Sequence, residues 1–186
     1  MILRKKILVA EDEPVSGMIP KAGTILKSHH MDDATYKEIK NDMITFLKEK
    51  FVMDLATCVD NKPAVAPVVY VIDEDLQFYF VTYTNTLKSN NLIKNPQCSF
   101  VIWEFLKMSV QASGVASVVE DEAKKEWVIE AFADAATKDP NFWAPIFRIK
   151  RGDYMVFQIK PTWMRVLDLT HSTVRQIKSP FTEIKM

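Results

Sequence analysis

Glycine is scarce in this chain of 186 residues, which has only four, at positions 17, 23, 114 and 152. No three of them have the spacing G-x-G-x-x-G, so the dinucleotide-binding fingerprint is absent. Gly17 and Gly23 enclose five residues and Thr24 follows them, whereas a Walker loop needs four residues and then a lysine. A phosphate bound by this chain is therefore held without a glycine-rich loop.

The chain also has few cysteines and histidines, and its net charge is zero. Cys58 and Cys98 both lie in apolar segments, which is typical of reduced, buried thiols. The three histidines and two cysteines form neither H-E-x-x-H nor C-x-x-C, so we expect no metal site. The 24 basic and 24 acidic residues cancel. Because nucleic-acid binders carry an excess of positive charge, we expect no nucleic-acid partner.

Long hydrophobic runs are absent as well. The longest, residues 64–72, is too short to cross a membrane, and the apolar run near the basic start is too short for a signal sequence. We therefore expect a cytoplasmic protein without a membrane partner. Residues 1–30 differ in composition and are interpreted as an N-terminal arm of uncertain role. Residues 31–170 are predicted to form one domain, and residues 171–186 a C-terminal tail.

Hydrophobic periodicity predicts a mainly β domain. A helix is expected to follow Met31, with a capping box formed by Thr35 and Glu38. Two more helices are predicted at 87–94 and 121–136. Since helices do not alternate regularly with strands, the pattern favours an antiparallel barrel of Greek-key type with two or three helices. The predicted strands are 52–59, 63–72, 76–83, 98–105, 107–119, 154–160 and 162–169.

One segment, residues 78–96, carries a candidate site. A buried strand ends near Thr82, a short polar link follows, and Thr86 is placed to cap the helix at 87–94. The first amides of a helix are unpaired and lie at its positive end. The hydroxyl of Thr86 and the ammonium of Lys88 would lie beside them, which suits a bound phosphate. The same residues also fit an ordinary threonine cap with a solvated lysine.

Six short segments, taken together, point to a family. They are residues 55–57 (LAT), 63–68 (PAVAPV), 80–82 (FVT), 86–88 (TLK), 92–96 (LIKNP) and 110–116 (VQASGVA). As a set they resemble the pyridoxamine 5′-phosphate oxidase-like split-barrel flavoproteins, including the general-stress-protein branch. The resemblance spans about two-thirds of the chain, from about residue 46 to residue 169.

The resemblance implies a flavin-dependent oxidoreductase. It implies a homodimer of split barrels that binds FMN in a groove between the subunits and acts on a small-molecule substrate. Thr86 and Lys88 match the positions that bind the FMN phosphate, with Leu87 between them, and Thr82 matches a position beside the flavin ring. The backbone of residues 65–68 matches the strand along the ring edge. The implied cofactor-binding residues are Val65, Ala66, Pro67, Val68, Thr82, Thr86, Leu87 and Lys88; no catalytic residue is assigned.

The chain departs from the family pattern at several positions. Leu87 replaces an arginine that the oxidase often has at the phosphate, and Ala66 and Val68 stand where the second strand often carries basic residues. The oxidase's C-terminal substrate motif has no counterpart in residues 170–186. A true pyridoxamine phosphate oxidase activity is therefore not expected. The alternative is a non-catalytic flavin- or haem-binding or redox-sensing module on the same fold.

A remote alternative is a signalling receiver domain. The segment KILVAEDEP at residues 6–14 resembles the first strand of a receiver, with Glu11 and Asp12 as its magnesium-binding acids. Asp54 would be the phosphoacceptor, and Thr82 and Lys160 would have to be the remaining receiver residues. They lie too far apart for adjacent βα units, and the chain lacks the strand–helix alternation of a parallel sheet.

Overall fold

The structure, a computed structural model, describes residues 32–138, 154–170 and 181–186. The predicted N-terminal arm, residues 1–30, lies outside these ranges. Within them the chain forms three helices and seven strands. The helices are α1 (Asp33–Glu49), α2 (Leu87–Lys94) and α3 (Glu122–Lys138). The strands are β1 (Val52–Val59), β2 (Lys62–Ile72), β3 (Phe78–Tyr83), β4 (Gln97–Glu104), β5 (Met108–Val118), β6 (Tyr154–Asp168) and β7 (Phe181–Ile184).

Six of the described strands form a ring. The sheet order is β3-β2-β1-β4-β5-β6-β7, and an additional pairing of β3 with β6 closes it. Each of these pairings is antiparallel. The prediction of a mainly antiparallel β-barrel with two or three helices is therefore confirmed. The described part of the chain does not form the parallel sheet that a receiver domain needs.

The interior of the ring is filled by aromatic and aliphatic side chains from alternate strand positions. Phe80 stacks on Phe157 with ring centroids 5.2 Å apart, and Phe78 meets Phe100 at 4.6 Å. Helix α1 covers the core with residues at helical spacing, and the Tyr70 hydroxyl donates to its Leu47 carbonyl at 2.9 Å. The buried residues of α1 are Ile39, Met43, Phe46 and Leu47.

Helix α3 packs on the outside of the ring. Its Val128 and Phe132 are buried against Tyr79 and Val156, which face away from the barrel interior. Trp127 meets the Tyr79 ring edge-on at 5.2 Å. This second apolar cluster, against which Val69 and Val71 of β2 also pack, holds α3 on the outer face of the sheet.

The capping box predicted for α1 is wrong. The N-cap is Asp32, not Thr35, and its Oδ1 accepts from the Thr35 backbone N–H at 2.8 Å. The Thr35 hydroxyl also donates to Asp32 at 3.0 Å. The backbone hydrogen bond from Thr35 lowers the pKa of the Asp32 carboxyl. A carboxylate is favoured at the positive helix end, so Asp32 starts the helix before Thr35 can.

Strand β6 is continuous where two strands, 154–160 and 162–169, were predicted. Pro161 suggested a break, because proline cannot donate to a ladder. In the structure Pro161 lies opposite Gly114, and the register of β5 and β6 shifts between Ser113 and Gly114. The shift leaves Thr162 as an extra residue on β6. Such a bulge accommodates a proline without ending the strand.

Strand β7 was not predicted, and it lies within the segment interpreted as a C-terminal tail. It pairs with β6, and its Ile184 is buried in the core. The Lys185 backbone N–H donates to the Tyr36 hydroxyl of α1 at 2.9 Å. Four residues carry too little pattern to be recognised, since such a strand is stabilised by its tertiary partners.

Gly114 is required by the close approach of β5 and β6. A Cβ at this position would lie 2.6 Å from the Lys160 carbonyl oxygen and 2.9 Å from the Ile159 Cγ2 atom. We expect Gly114→Ala to lower the free energy of unfolding by about 1–3 kcal/mol, as overpacking does. Urea denaturation measures this. Ser117→Ala, at an exposed position of the same strand, should change it little; an unchanged Gly114→Ala variant would contradict the argument.

Candidate functional site

Helix α2 begins as predicted, with Thr86 as its N-cap. A capping box joins the Ser89 backbone N–H to the Thr86 hydroxyl at 3.2 Å, and the Thr86 backbone N–H to the Ser89 hydroxyl at 3.0 Å. The Asn90 N–H donates to the Thr86 carbonyl. The amides of Leu87 and Lys88 belong to the first turn and have no acceptor within the helix. They lie at the positive end of α2 and can bind an anion.

Hydrogen bonds fix α2 against the barrel at both of its ends. The Asn91 side-chain amide donates to the buried Thr57 hydroxyl of β1 at 3.0 Å. The Asn95 side chain donates to the Cys58 carbonyl at 2.8 Å. At the N-terminal end, the hydroxyls of Thr82 and Thr86 are 3.2 Å apart. The helix therefore cannot turn its first amides away without breaking buried hydrogen bonds.

Two clefts lie beside the first turn of α2. The small cleft, of about 100 Å³, lies between α2 and strands β1 and β2. The large cleft, of about 270 Å³, lies along β2 and the end of β3. The small cleft is lined by Leu55, Thr57, Ala64, Val65, Ala66, Leu87 and Lys88. The large cleft is lined by Val52, Pro67, Val68, Val69, Val81, Thr82, Tyr83, Thr86 and Lys88.

The eight residues predicted from the family pattern all line these clefts. Val65, Ala66 and Leu87 line the small cleft. The large cleft takes the four residues Pro67, Val68, Thr82 and Thr86. Lys88 lines both clefts and therefore stands at their junction.

Lys88 is the centre of positive charge at this junction. Its side chain is half-buried, and burial lowers the pKa of its ammonium group. Within the described ranges it has neither a hydrogen bond nor an ion pair, and the first turn of α2 contains no acidic residue. A partly desolvated cation without a counter-charge is unfavourable. An anion bound between Lys88 and the free amides would compensate for that cost.

The walls of the large cleft are mainly apolar. Val52, Pro67, Val68, Val69 and Val81 supply carbon surface, and Thr82 and Thr86 add hydroxyls at one end. The arrangement joins an apolar wall to an anion-binding end. It suits a ligand with an apolar body and an anionic end.

Three polar residues of the site were not named from the sequence as site residues. Thr57, Ser89 and Asn91 are all buried, with exposures of 3%, 0% and 7%. The signal for Thr57 is its place in the alternation of β1, which puts it on the inner face with Met53 and Leu55. Ser89 stands at the third helical position, where a hydroxyl can complete a capping box.

The described residues contain neither a candidate metal centre nor a helix that could span a membrane. No group of three or more histidine, cysteine or acidic side chains there is arranged to hold a metal ion. None of the helices found there is long and apolar enough to cross a membrane. Arg148, Lys150 and Arg151, a basic run in the sequence, fall outside the described ranges.

A ring of six antiparallel strands with helices packed against it defines a fold class, the split barrels. The sequence model of the pyridoxamine 5′-phosphate oxidase family matches residues 39–168. The chain therefore belongs to the pyridoxamine 5′-phosphate oxidase family. A curated relative, the pyridoxine/pyridoxamine 5′-phosphate oxidase of Anaplasma marginale (strain St. Maries), is 30% identical over 87 residues. The match covers 46% of this chain and 40% of that relative.

Solved structures share the fold at low sequence identity. General stress protein 26 from Bacillus anthracis has a TM-score of 0.57 at 19% identity, covering 79% of this chain and 99% of that one. An FAD-binding protein from Mesorhizobium loti has a TM-score of 0.54 at 16% identity, covering 68% and 90%. A haem-binding protein from Mycobacterium smegmatis has a TM-score of 0.55 at 17% identity, covering 75% and 57%. These likenesses show the fold.

The unpartnered charge of Lys88 has a measurable cost. We expect Lys88→Met to raise the unfolding free energy of the ligand-free protein by about 0.5 kcal/mol, because the variant removes a partly buried charge from the positive end of a helix. Thermal unfolding at neutral pH measures this. The gain should shrink as the pH approaches 10.5, the usual lysine pKa, because the wild-type ammonium then loses its charge in both states.

Lys94 provides the matched control. It lies exposed in the last turn of the same helix, where a cation is favourable. Lys94→Met should leave stability unchanged or slightly lower it. Equal gains from both variants would mean that Lys88 bears no special cost.

Proposed function

We propose that this protein binds FMN, with the phosphate in the small cleft and the flavin ring against the large cleft, and that it is a flavin-dependent oxidoreductase acting on a small molecule. The observation that carries the proposal is the half-buried Lys88, which has no partner among the described residues and lies beside the free amides of α2, at the junction of the two clefts. Membership of the pyridoxamine 5′-phosphate oxidase family supports the choice of a phosphorylated flavin.

The residues present fit such a cofactor. The phosphate would accept hydrogen bonds from Lys88 and from the first amides of α2, and the ring would lie on Pro67, Val68 and Val81. A bound flavin would supply the electron or hydride chemistry itself. The chain's own contribution would be to hold the phosphate, orient the ring and exclude water from one of its faces.

The charge available to the phosphate is small for this family. Leu87 and Ala66 add apolar surface to the small cleft where related proteins often have basic side chains. Among the described residues that line either cleft, Lys88 is the one cation. We infer weaker phosphate binding than a two-cation site would give, and a substrate other than pyridoxamine 5′-phosphate.

A second copy of the chain would complete the site. The rim of the clefts exposes apolar side chains, with Val65, Leu87 and Val52 exposed by 68%, 67% and 52%. Continuing the register of β1 and β4 places Val52 beside Trp103, which is 58% exposed. Contiguous exposed apolar surface is typical of an interaction site. We propose a homodimer in which this face covers the cofactor.

Haem is the second candidate ligand, because the haem-binding protein of Mycobacterium smegmatis has the same fold. The absorption spectrum of the purified protein separates the candidates. Flavin bands support the proposal, whereas a Soret band would replace the flavin with haem. A protein that binds flavin without turnover of any electron donor would be a binding or sensing module.

The phosphate contact is tested at Lys88. A hydrogen bond to a charged group contributes roughly 1.5–3 kcal/mol, so Lys88→Ala should weaken FMN binding by about 10- to 150-fold. Riboflavin has no phosphate and should bind the wild type and the variant almost equally. Fluorescence quenching with both flavins gives the four dissociation constants, and Lys94→Ala is the control. Equal losses for FMN and riboflavin would contradict the phosphate assignment.

The dimer is tested by mass in solution. Light scattering at micromolar concentration should give about twice the chain mass of 21.4 kDa. Trp103→Glu should shift the mass toward that of one chain, because it places a charge in an apolar interface. Ala133→Glu adds the same charge to an exposed position of α3 and should leave the dimer intact. A monomeric wild type would refute the dimer.

A further inference from the structure

Thr57 is a buried hydroxyl whose proton has no acceptor in the described part of the chain. It is 3% exposed, and it lines the small cleft together with Lys88. Within the described residues, the Thr57 hydroxyl takes part in one hydrogen bond, which it accepts from the Asn91 side-chain amide at 3.0 Å. A threonine hydroxyl can accept and donate at once. Since Asn91 occupies the acceptor side, the O–H donor of Thr57 remains available.

The surroundings of Thr57 leave this donor room to meet a ligand. Thr57 is opposite Ala64, and its neighbour on the same face, Leu55, is opposite Ala66. The two alanines are too small to fill the space between β2 and α2, and that space is the small cleft. Lys88 closes the cleft from the first turn of the helix. A ligand oxygen in the cleft would thus lie between a buried neutral donor and a cation.

We propose that Thr57 is a phosphate-binding residue, whose hydroxyl donates to an oxygen of the same phosphate that Lys88 and the first amides of α2 bind. The proposal rests on the function proposed above and adds a residue to its site. A neutral donor within a desolvated cleft compensates in part for the basic groups that Ala66 and Leu87 do not provide. Asn91 is then a positioning residue, because it holds the lone pair of Thr57 and leaves its proton for the phosphate.

The test compares FMN with riboflavin in variants of Thr57. The dissociation constant of riboflavin divided by that of FMN measures how strongly the protein prefers the ligand that carries a phosphate. We expect Thr57→Val to lower this ratio about 10-fold, the loss of one hydrogen bond to a charged group. Thr57→Ser keeps the hydroxyl and should keep the ratio. Thr182→Val makes the same change at another buried strand position, outside both clefts, and should also keep it.

A purely structural role for Thr57 predicts a different result. Thr57→Val leaves the Asn91 amide unpaired, which destabilises the protein. The double variant Thr57→Val with Asn91→Leu removes both polar groups and should recover stability in a thermal melt, while the lowered ratio persists. The proposal is overturned if the double variant recovers the wild-type ratio together with the stability. It is also overturned if Thr57→Val weakens riboflavin binding as much as FMN binding, because Thr57 then acts through packing.

Inorganic phosphate separates this proposal from the flavin assignment. Titration of the ligand-free wild type, followed by the NMR shifts of the Leu87 and Lys88 amides, should show saturable binding that Thr57→Val weakens and Thr57→Ser preserves. A wild type that binds phosphate in this way but no flavin supports Thr57 and refutes the proposed cofactor. A phosphate-selective wild type whose ratio Thr57→Val leaves unchanged refutes Thr57 and keeps the cofactor. Absence of both responses refutes both.

Discussion

Strand β6 makes the pairing that closes the barrel. It runs beside β5 over the full length of β5, and its first part also pairs with β3, from Tyr83↔Tyr154 to Phe78↔Ile159. Without this second pairing β3 and the first part of β6 would each have a free edge, and a free edge is prone to pair with another chain. The pairing fixes the end of β3 next to α2. The bulge at Thr162 lets one strand serve both halves, since it adds local twist between them.

Closure of the barrel positions the candidate site, because hydrogen-bonded side chains connect the end of β3 to the start of α2. Thr82 stands at the end of β3, its hydroxyl lies 3.2 Å from that of Thr86, and Thr86 caps α2. At the other side, Asn91 and Asn95 bind β1. These buried or half-buried hydrogen bonds cost little while every partner is present, but each is expensive to break. The first turn of α2 is therefore held in one orientation before any ligand arrives.

Local patterns predicted most elements of this fold. Helix α2 was predicted with its observed bounds because Thr86 and the Asn95-Pro96 pair mark its two ends. The strand predictions failed where a distant partner decides the outcome. Pro161 looks like a strand break until Gly114 lies opposite it, and β7 is visible only once β6 offers its edge. Asp32 was passed over because Thr35 with Glu38 fits a familiar motif.

The residues of the candidate site also fall into two groups, those that local sequence predicts and those that only the tertiary structure reveals. The family pattern named eight residues that line the two clefts, since those residues occupy fixed places in strands and at a helix start. It could not name Thr57 or Asn91 as partners, because they are 34 residues apart and only the folded chain brings them together. A threonine in an inward strand position reads as an ordinary core residue. Its hydrogen bond, and the open space above it, are properties of the tertiary structure.

Lys88 and the exposed apolar rim of the clefts are both unfavourable in an isolated chain without ligand. Lys88 is partly desolvated without a counter-charge in the described part of the chain, and Val65 and Leu87 keep most of their surface in water. Both arrangements are unfavourable for an isolated chain, and both would be relieved by the same event. In the proposed complex, a phosphate in the small cleft would neutralise Lys88, and a flavin ring with a second subunit over it would cover the rim. Because ligand and subunit then bury each other's contact surfaces, binding of one should favour binding of the other.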